Sequence, residues 1–104
     1  MKTDELLSRY AVGQRDFKGV NLMGAQLKKT NLSYANFSGA DLRGANLTQA
    51  NLSHANLRYA TLTGANLTHA SLTEVNLTET HIIDVNFSHA NLRGATLPEG
   101  AILT

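Results

Sequence analysis

The chain has 104 residues, enough for one small domain, and nine basic against eight acidic side chains leave a net charge of +1. That balance lacks the charge excess of a nucleic-acid binder, and the absence of cysteine excludes disulfides, zinc ribbons and thiol catalysis. No apolar run approaches the ~20 residues of a membrane span, and no apolar leader opens the chain, so a cytoplasmic location is expected.

Residues 1–14 read as a helical cap. Thr3 is the expected N-cap, with Asp4 and Glu5 in the first turn, where the helix dipole favours anions. Leu6, Leu7 and Tyr10 lie at helical spacing and can cover the core of the segment that follows, and Gly13 is the expected stop.

From Arg15 the chain divides into eighteen pentapeptides, ending at Thr104. Their central residues, 17 to 102 in steps of five, are thirteen Leu, three Phe and two Ile. Two places earlier, eleven are Ala, and the place between is Asn ten times. On a helix five residues turn through about 500°, so the Leu positions would circle the axis. On a flat strand an odd period would switch faces at every unit. A short extended piece followed by a turn lets each unit aim its central residue and the residue two before it inward. The Asn positions are expected to form a side-chain ladder between turns. Gly19, Gly24, Gly39, Gly44, Gly64 and Gly94 all fall two after the centre, as turn residues that tolerate positive φ.

The units Ala45-Asn46-Leu47-Thr48-Gln49, Ala50-Asn51-Leu52-Ser53-His54 and Ala65-Asn66-Leu67-Thr68-His69 resemble the A(D/N)LXX pattern of the pentapeptide-repeat family. The chain is most similar to small cyanobacterial members, and Tyr10 to Phe17 resembles the segment that leads into their repeats. The resemblance implies an all-β, right-handed quadrilateral parallel β-helix with a short N-terminal α-helical cap. It implies four units per coil, hence about four and a half coils over residues 15–104. Inner columns such as Phe17/Phe37/Leu57/Leu77/Leu97 then run along the axis, with the two Phe residues stacked.

After Leu97 the chain reads Pro98-Glu99-Gly100-Ala101-Ile102-Leu103-Thr104. No second cap is legible there, which leaves two readings: a homodimer through the C-terminal coil, at Gly100, Ile102 and Leu103, or an edge blunted by Pro98 and Glu99.

Chemistry finds no footing in the outward positions. Ser and Thr stand beside no consistent base, and equal coils leave no inserted loop to build a cleft, so no enzyme and no cofactor is expected. His69 and His89 should stack in one column with Lys29 and Gln49, which lacks a third zinc ligand. The asparagine motifs that match glycosylation sites arise from the repeat phase. Among the family's activities, binding of DNA gyrase by imitation of DNA would need acidic columns. Only Glu79 and Glu99 share one by count, and the +1 charge opposes it. An ice-binding solenoid would need an unbroken threonine face, of which Thr48, Thr68 and Thr61-Leu62-Thr63 are only fragments. The reading is a non-catalytic structural or protein-interaction module with an unknown protein partner. Neither nucleic acid nor membrane is expected as a partner. Arg58, Tyr59 and Tyr34 are the candidate partner surface, since exposed aromatic and Arg side chains are favoured anchors.

Overall fold

The computed structural model of the chain describes residues 1–101, and backbone pairing in it recurs every twenty residues. Thirteen parallel bridges join residue n to residue n+20, from Asp16↔Asn36 to Asn76↔Thr96. Four units therefore complete one coil, as the resemblance implied. Coils 1 to 4 begin at the central residues Phe17, Phe37, Leu57 and Leu77. Among the described residues the pairing consists of isolated bridges, and the one regular element is α1 (Thr3–Ala11). The all-β expectation is thus met by bridges one residue wide rather than by strands. A five-residue unit that spends two residues turning leaves no room for a longer ladder.

Each unit of the inner coils 2 and 3 uses its backbone N–H groups in a fixed way. The central N–H donates to the next coil, as Leu47 N does to Asn66 O at 2.8 Å. The N–H two places later does the same, as Gln49 N does to Thr68 O at 2.9 Å. The N–H before the centre donates to the preceding coil, as Asn46 N does to Ala25 O at 2.9 Å. A turn bond closes the unit, as Ala50 N donates to Leu47 O at 2.9 Å. One N–H per unit remains, directly after the centre. The expected Asn ladder is corrected here: the Asn Oδ1 accepts from this leftover N–H within its own unit, as in Thr48 N to Asn46 Oδ1 at 3.1 Å. All ten Asn residues and both Asp16 and Asp41 make this bond. In this row one side-chain bond crosses coils, Asn46 Nδ2 to Gln26 Oε1 at 3.4 Å.

The central residues from Phe17 to Leu77 are all buried, together with the small residues two places before them from Ala35 to Val75. Phe17 and Phe37 stack with ring centroids 5.6 Å apart. In coil 4 the core thins: Ile82, Phe87 and Leu92 are part-buried, and Leu97 is 37 % exposed. The repeat phase also ends before the count predicts. The last turn bond runs from Ala101 N to Pro98 O, and Gly100, not Glu99, takes the positive φ. Gly adopts that conformation at less cost than Glu. Glu99 therefore leaves the corner position, and the expected Glu79/Glu99 column does not form.

α1 closes the other end. Leu6 is fully buried in the core, with Met1, Leu7 and Tyr10 packed at its edge. Thr3 is not the N-cap: Lys2 holds that place without a side-chain cap bond, and Thr3 is the first helical residue. Gly13 does stop the helix, at φ 102°. Its N–H donates to Tyr10 O and that of Gln14 to Arg9 O, both at 3.0 Å, the paired bonds of a Schellman turn.

Candidate functional site

With inner positions turned to the core and the Asn row occupied locally, recognition falls to the outward residue after each centre and to the corner residue beyond it. The corners carry the most distinctive side chains. All sixteen corner positions from 19 to 94 have positive φ, six as Gly and ten as other residues with φ between 56° and 64°. Left-handed backbone costs an L-residue about 1–2 kcal/mol. Here the turn bond around the corner, Ala70 N to Leu67 O at 3.0 Å, offsets that cost, and in coils 1 to 3 so does the corner's own inter-coil bond, as for His69 N to Ser88 O at 2.9 Å. Corner side chains consequently project from a rigid frame at every coil.

Stacked corners form short ring columns. Tyr34 and His54 lie parallel, 4.7 Å between centroids and 2° between planes. His69 and His89 stack at 4.8 Å and 9°, as their spacing predicts. The Tyr34–His54 pair was legible by the same twenty-residue offset but was not anticipated. Parallel rings direct their in-plane lone pairs side by side rather than at one point. Among the described residues no group of three or more His, Asp or Glu gathers to hold a metal.

Arg58 and Tyr59 do come together: the guanidinium carbon sits 4.8 Å from the centre of the Tyr59 ring. Tyr59 is 54 % exposed and Tyr34 is 65 % exposed. The register places all three around one face. Tyr34 and His54 stand on the corner before the Phe17/Phe37/Leu57 column, Tyr59 stands on the corner after it, and Arg58 lies between. No ring or cation contact joins Tyr34 to Arg58 or Tyr59. The floor of this face holds Asn36, Asn56, Ser38 and Thr78.

The adjoining face has a different character. Its corner is Gly24, Gly44 and Gly64 in sequence, so nothing stands above it there. Arg43 clasps Asp41 through Nε at 2.9 Å and Nη2 at 2.7 Å. The Arg43 side chain and its backbone N–H hold the Asp41 carboxyl below the usual carboxylate range, with slight burial opposing. The homodimer site expected at Gly100, Ile102 and Leu103 is only partly visible. Gly100 forms the last turn, while Ile102 and Leu103 lie outside the described residues.

The sequence matches the profile of pentapeptide repeats (8 copies) over residues 21–58, 35–73 and 60–97. The chain belongs to the pentapeptide-repeat family. Three solved structures of this family are similar to it. Rfr23 from the cyanobacterium Cyanothece 51142 is 30 % identical, with a TM-score of 0.77, over 79 % of this chain and 56 % of that one. The protein alr5209 from Nostoc PCC 7120 is 32 % identical, with a TM-score of 0.59, over 98 % of this chain and 89 % of that one. HetL from Nostoc sp. strain PCC 7120, involved in heterocyst differentiation regulation, is 32 % identical, with a TM-score of 0.66. That match covers 91 % of this chain but only 48 % of HetL. No curated protein matches the sequence. No helix is long and apolar enough to cross a membrane.

Proposed function

We propose that this pentapeptide-repeat chain is a non-catalytic module that presents a rigid face to a protein partner. It divides into a cap, residues 1–14, and a right-handed quadrilateral solenoid from residue 15, and it works in the cytoplasm. The observation that carries the reading is the exposed cluster on the Phe-column face: Arg58 over Tyr59 on one corner and Tyr34 over His54 on the other. Large aromatic and guanidinium groups held on a frame bury much surface at little entropic cost when a partner docks. A gyrase-binding reading lacks its acidic column, since Glu74, Glu79 and Asp84 fall on three different corners. An ice-binding reading loses two hydroxyls of its threonine column, since Thr48 and Thr68 donate theirs to Asn46 and Asn66.

The test is affinity capture from a cyanobacterial lysate with the chain as bait, then direct binding to the recovered partner. Tyr59→Ala and Arg58→Ala should each weaken that binding at least tenfold without moving the melting temperature. Unchanged binding in both variants would remove this face from consideration.

A further inference from the structure

The face over the Leu22/Leu42/Leu62/Ile82 column, where Arg43 clasps Asp41, carries two exposed aliphatic side chains. Met23 is 55 % exposed and Ile83 is 69 % exposed. Both hold the outward place after the centre, Met23 in coil 1 and Ile83 in coil 4, with Arg43 and Thr63 between them in the row. Three coil steps of about 4.8 Å set the two roughly 14 Å apart, so neither shelters the other. The same row on the other faces runs from Lys18 to Thr78, from Lys28 to Ser88 and from Ser33 to Arg93, with no aliphatic pair.

The corners that border this face are divided along the axis. In ascending coils one reads Gly19, Gly39, Tyr59, Glu79, and the other Gly24, Gly44, Gly64, Asp84. Side chains stand at the upper coils. The lower ones are open, and a Cβ at Gly19, Gly24, Gly39 or Gly44 would meet nothing within 4 Å.

A two-fold axis laid against the face between coils 2 and 3, perpendicular to the solenoid axis, exchanges coil 1 with coil 4 and coil 2 with coil 3. Each row then faces itself. Met23 of one copy meets Ile83 of the other, twice over. Tyr59 stands over Gly39 of the second copy, and Asp84 over its Gly24. Glu79 stands over Gly19 and beside Lys18, which sets acid against base at both ends. Arg43 and Asp41, already neutralised by each other, come opposite Thr63 and Thr61. Parallel rods lose this match: Met23 would face Asn21, and Glu79 would face Asp84, acid against acid.

We propose that this face is a self-docking surface on which a second copy of the chain packs antiparallel, as a closed two-fold dimer. The molecule is 21 by 20 Å across, and four coils rise about 19 Å. Two such faces together bury roughly 800 Å², the size of a weak, reversible contact. The inference is independent of the reading of the Phe-column face. Tyr59 stands on the corner the two faces share, so the test leaves it and Arg58 unchanged.

Sedimentation equilibrium of the unaltered chain should show the mass rising with concentration from 11.2 kDa towards twice that value and no further. Lys18→Glu and Glu79→Lys should each weaken association at least fivefold, and the double variant should restore it. The two positions lie three coils apart in one chain, so restoration reports contact between copies. Gly44→Tyr should weaken association at least tenfold by holding the faces apart, in a corner conformation that Tyr59 already adopts. The chain has no cysteine, so introduced thiols report the register. Under mild oxidation, Met23→Cys and Ile83→Cys chains should form a disulfide when mixed, and neither should when alone. All five substitutions fall at exposed positions, and an unchanged melting temperature checks the fold of each variant. An unaltered chain that stays at 11.2 kDa at millimolar concentration would overturn the proposal. So would a dimer that the charge reversals and Gly44→Tyr leave intact, or a Met23→Cys chain that cross-links to itself.

Discussion

At the residue scale, the preference for Asn comes down to one orphaned N–H per unit. Its side-chain oxygen reaches the N–H two residues on, the reach of an Asx turn, whereas Gln26 in the same row makes no such bond. Asn56→Ala should therefore cost about 1 kcal/mol, the net value of one such bond. Asn56→Asp should cost little, because Asp16 and Asp41 make the same bond. Thermal denaturation of the two variants side by side tests the pair of outcomes. Thr80 illustrates a different use of oxygen. It occupies an inward position usually given to Ala, is buried, and donates to Leu57 O at 2.7 Å. Thr80→Val keeps the shape and loses the donor, so a loss of about 1 kcal/mol is expected by denaturant titration. The Asp41 carboxyl is held low by Arg43, so its ionised form is stabilised by folding. That contribution is complete above the carboxyl's unfolded value and is lost as pH falls through its lower folded value. The melting-temperature gap between the unaltered chain and Arg43→Ala should accordingly close on acidification.

At the element scale, α1 and the turns differ in how they were legible. The stop at Gly13 could be read from sequence because only a residue free to adopt positive φ suits the Schellman turn, and Gly13 does so with empty space where a Cβ would be. Gly13→Ala meets no steric clash there, so its cost is conformational, about 1 kcal/mol, measurable as a lowered melting temperature. The start was misjudged. Thr3 has the chemistry of an N-cap, but the Met1 ammonium bonded to Asn21 O fixes the chain one residue earlier, a tertiary contact no local pattern reveals. The five-residue period disclosed which residues point inward, and the four-unit coil that the resemblance implied then aligned them in columns with the Phe stack. It could not disclose that ten corner residues with side chains would share the backbone of glycine. The turn bond that closes every unit goes with that conformation, as Ala90 N to Phe87 O at 2.9 Å does around His89, whatever the residue's own preference. Nor could the period disclose the slip after Pro98, where Gly100 two residues later outcompetes Glu99 for the turn. Of the candidate surface, Arg58 and Tyr59 are neighbours in the chain and were readable as a pair. Their sharing of one face with Tyr34 depends on the four-unit coil.

For the whole molecule, stability should grade along the axis, because each coil contacts only the coils beside it. Leu57 is fully buried between neighbours on both sides, so Leu57→Ala should cost about 2–5 kcal/mol. Leu92 is part-buried on the last coil and loses less apolar surface, so Leu92→Ala should fall clearly below that. The same gradient has a second readout that does not rely on substitution. Amide exchange reports local opening, and the N–H groups of Phe87 and Leu92 have no acceptor among the described residues, while those of Leu47 and Leu52 bond across coils at 2.8 Å. Exchange should thus be fast at Phe87 and Leu92 and slow at the central residues of coils 1 to 3, whose N–H groups all bond to the next coil.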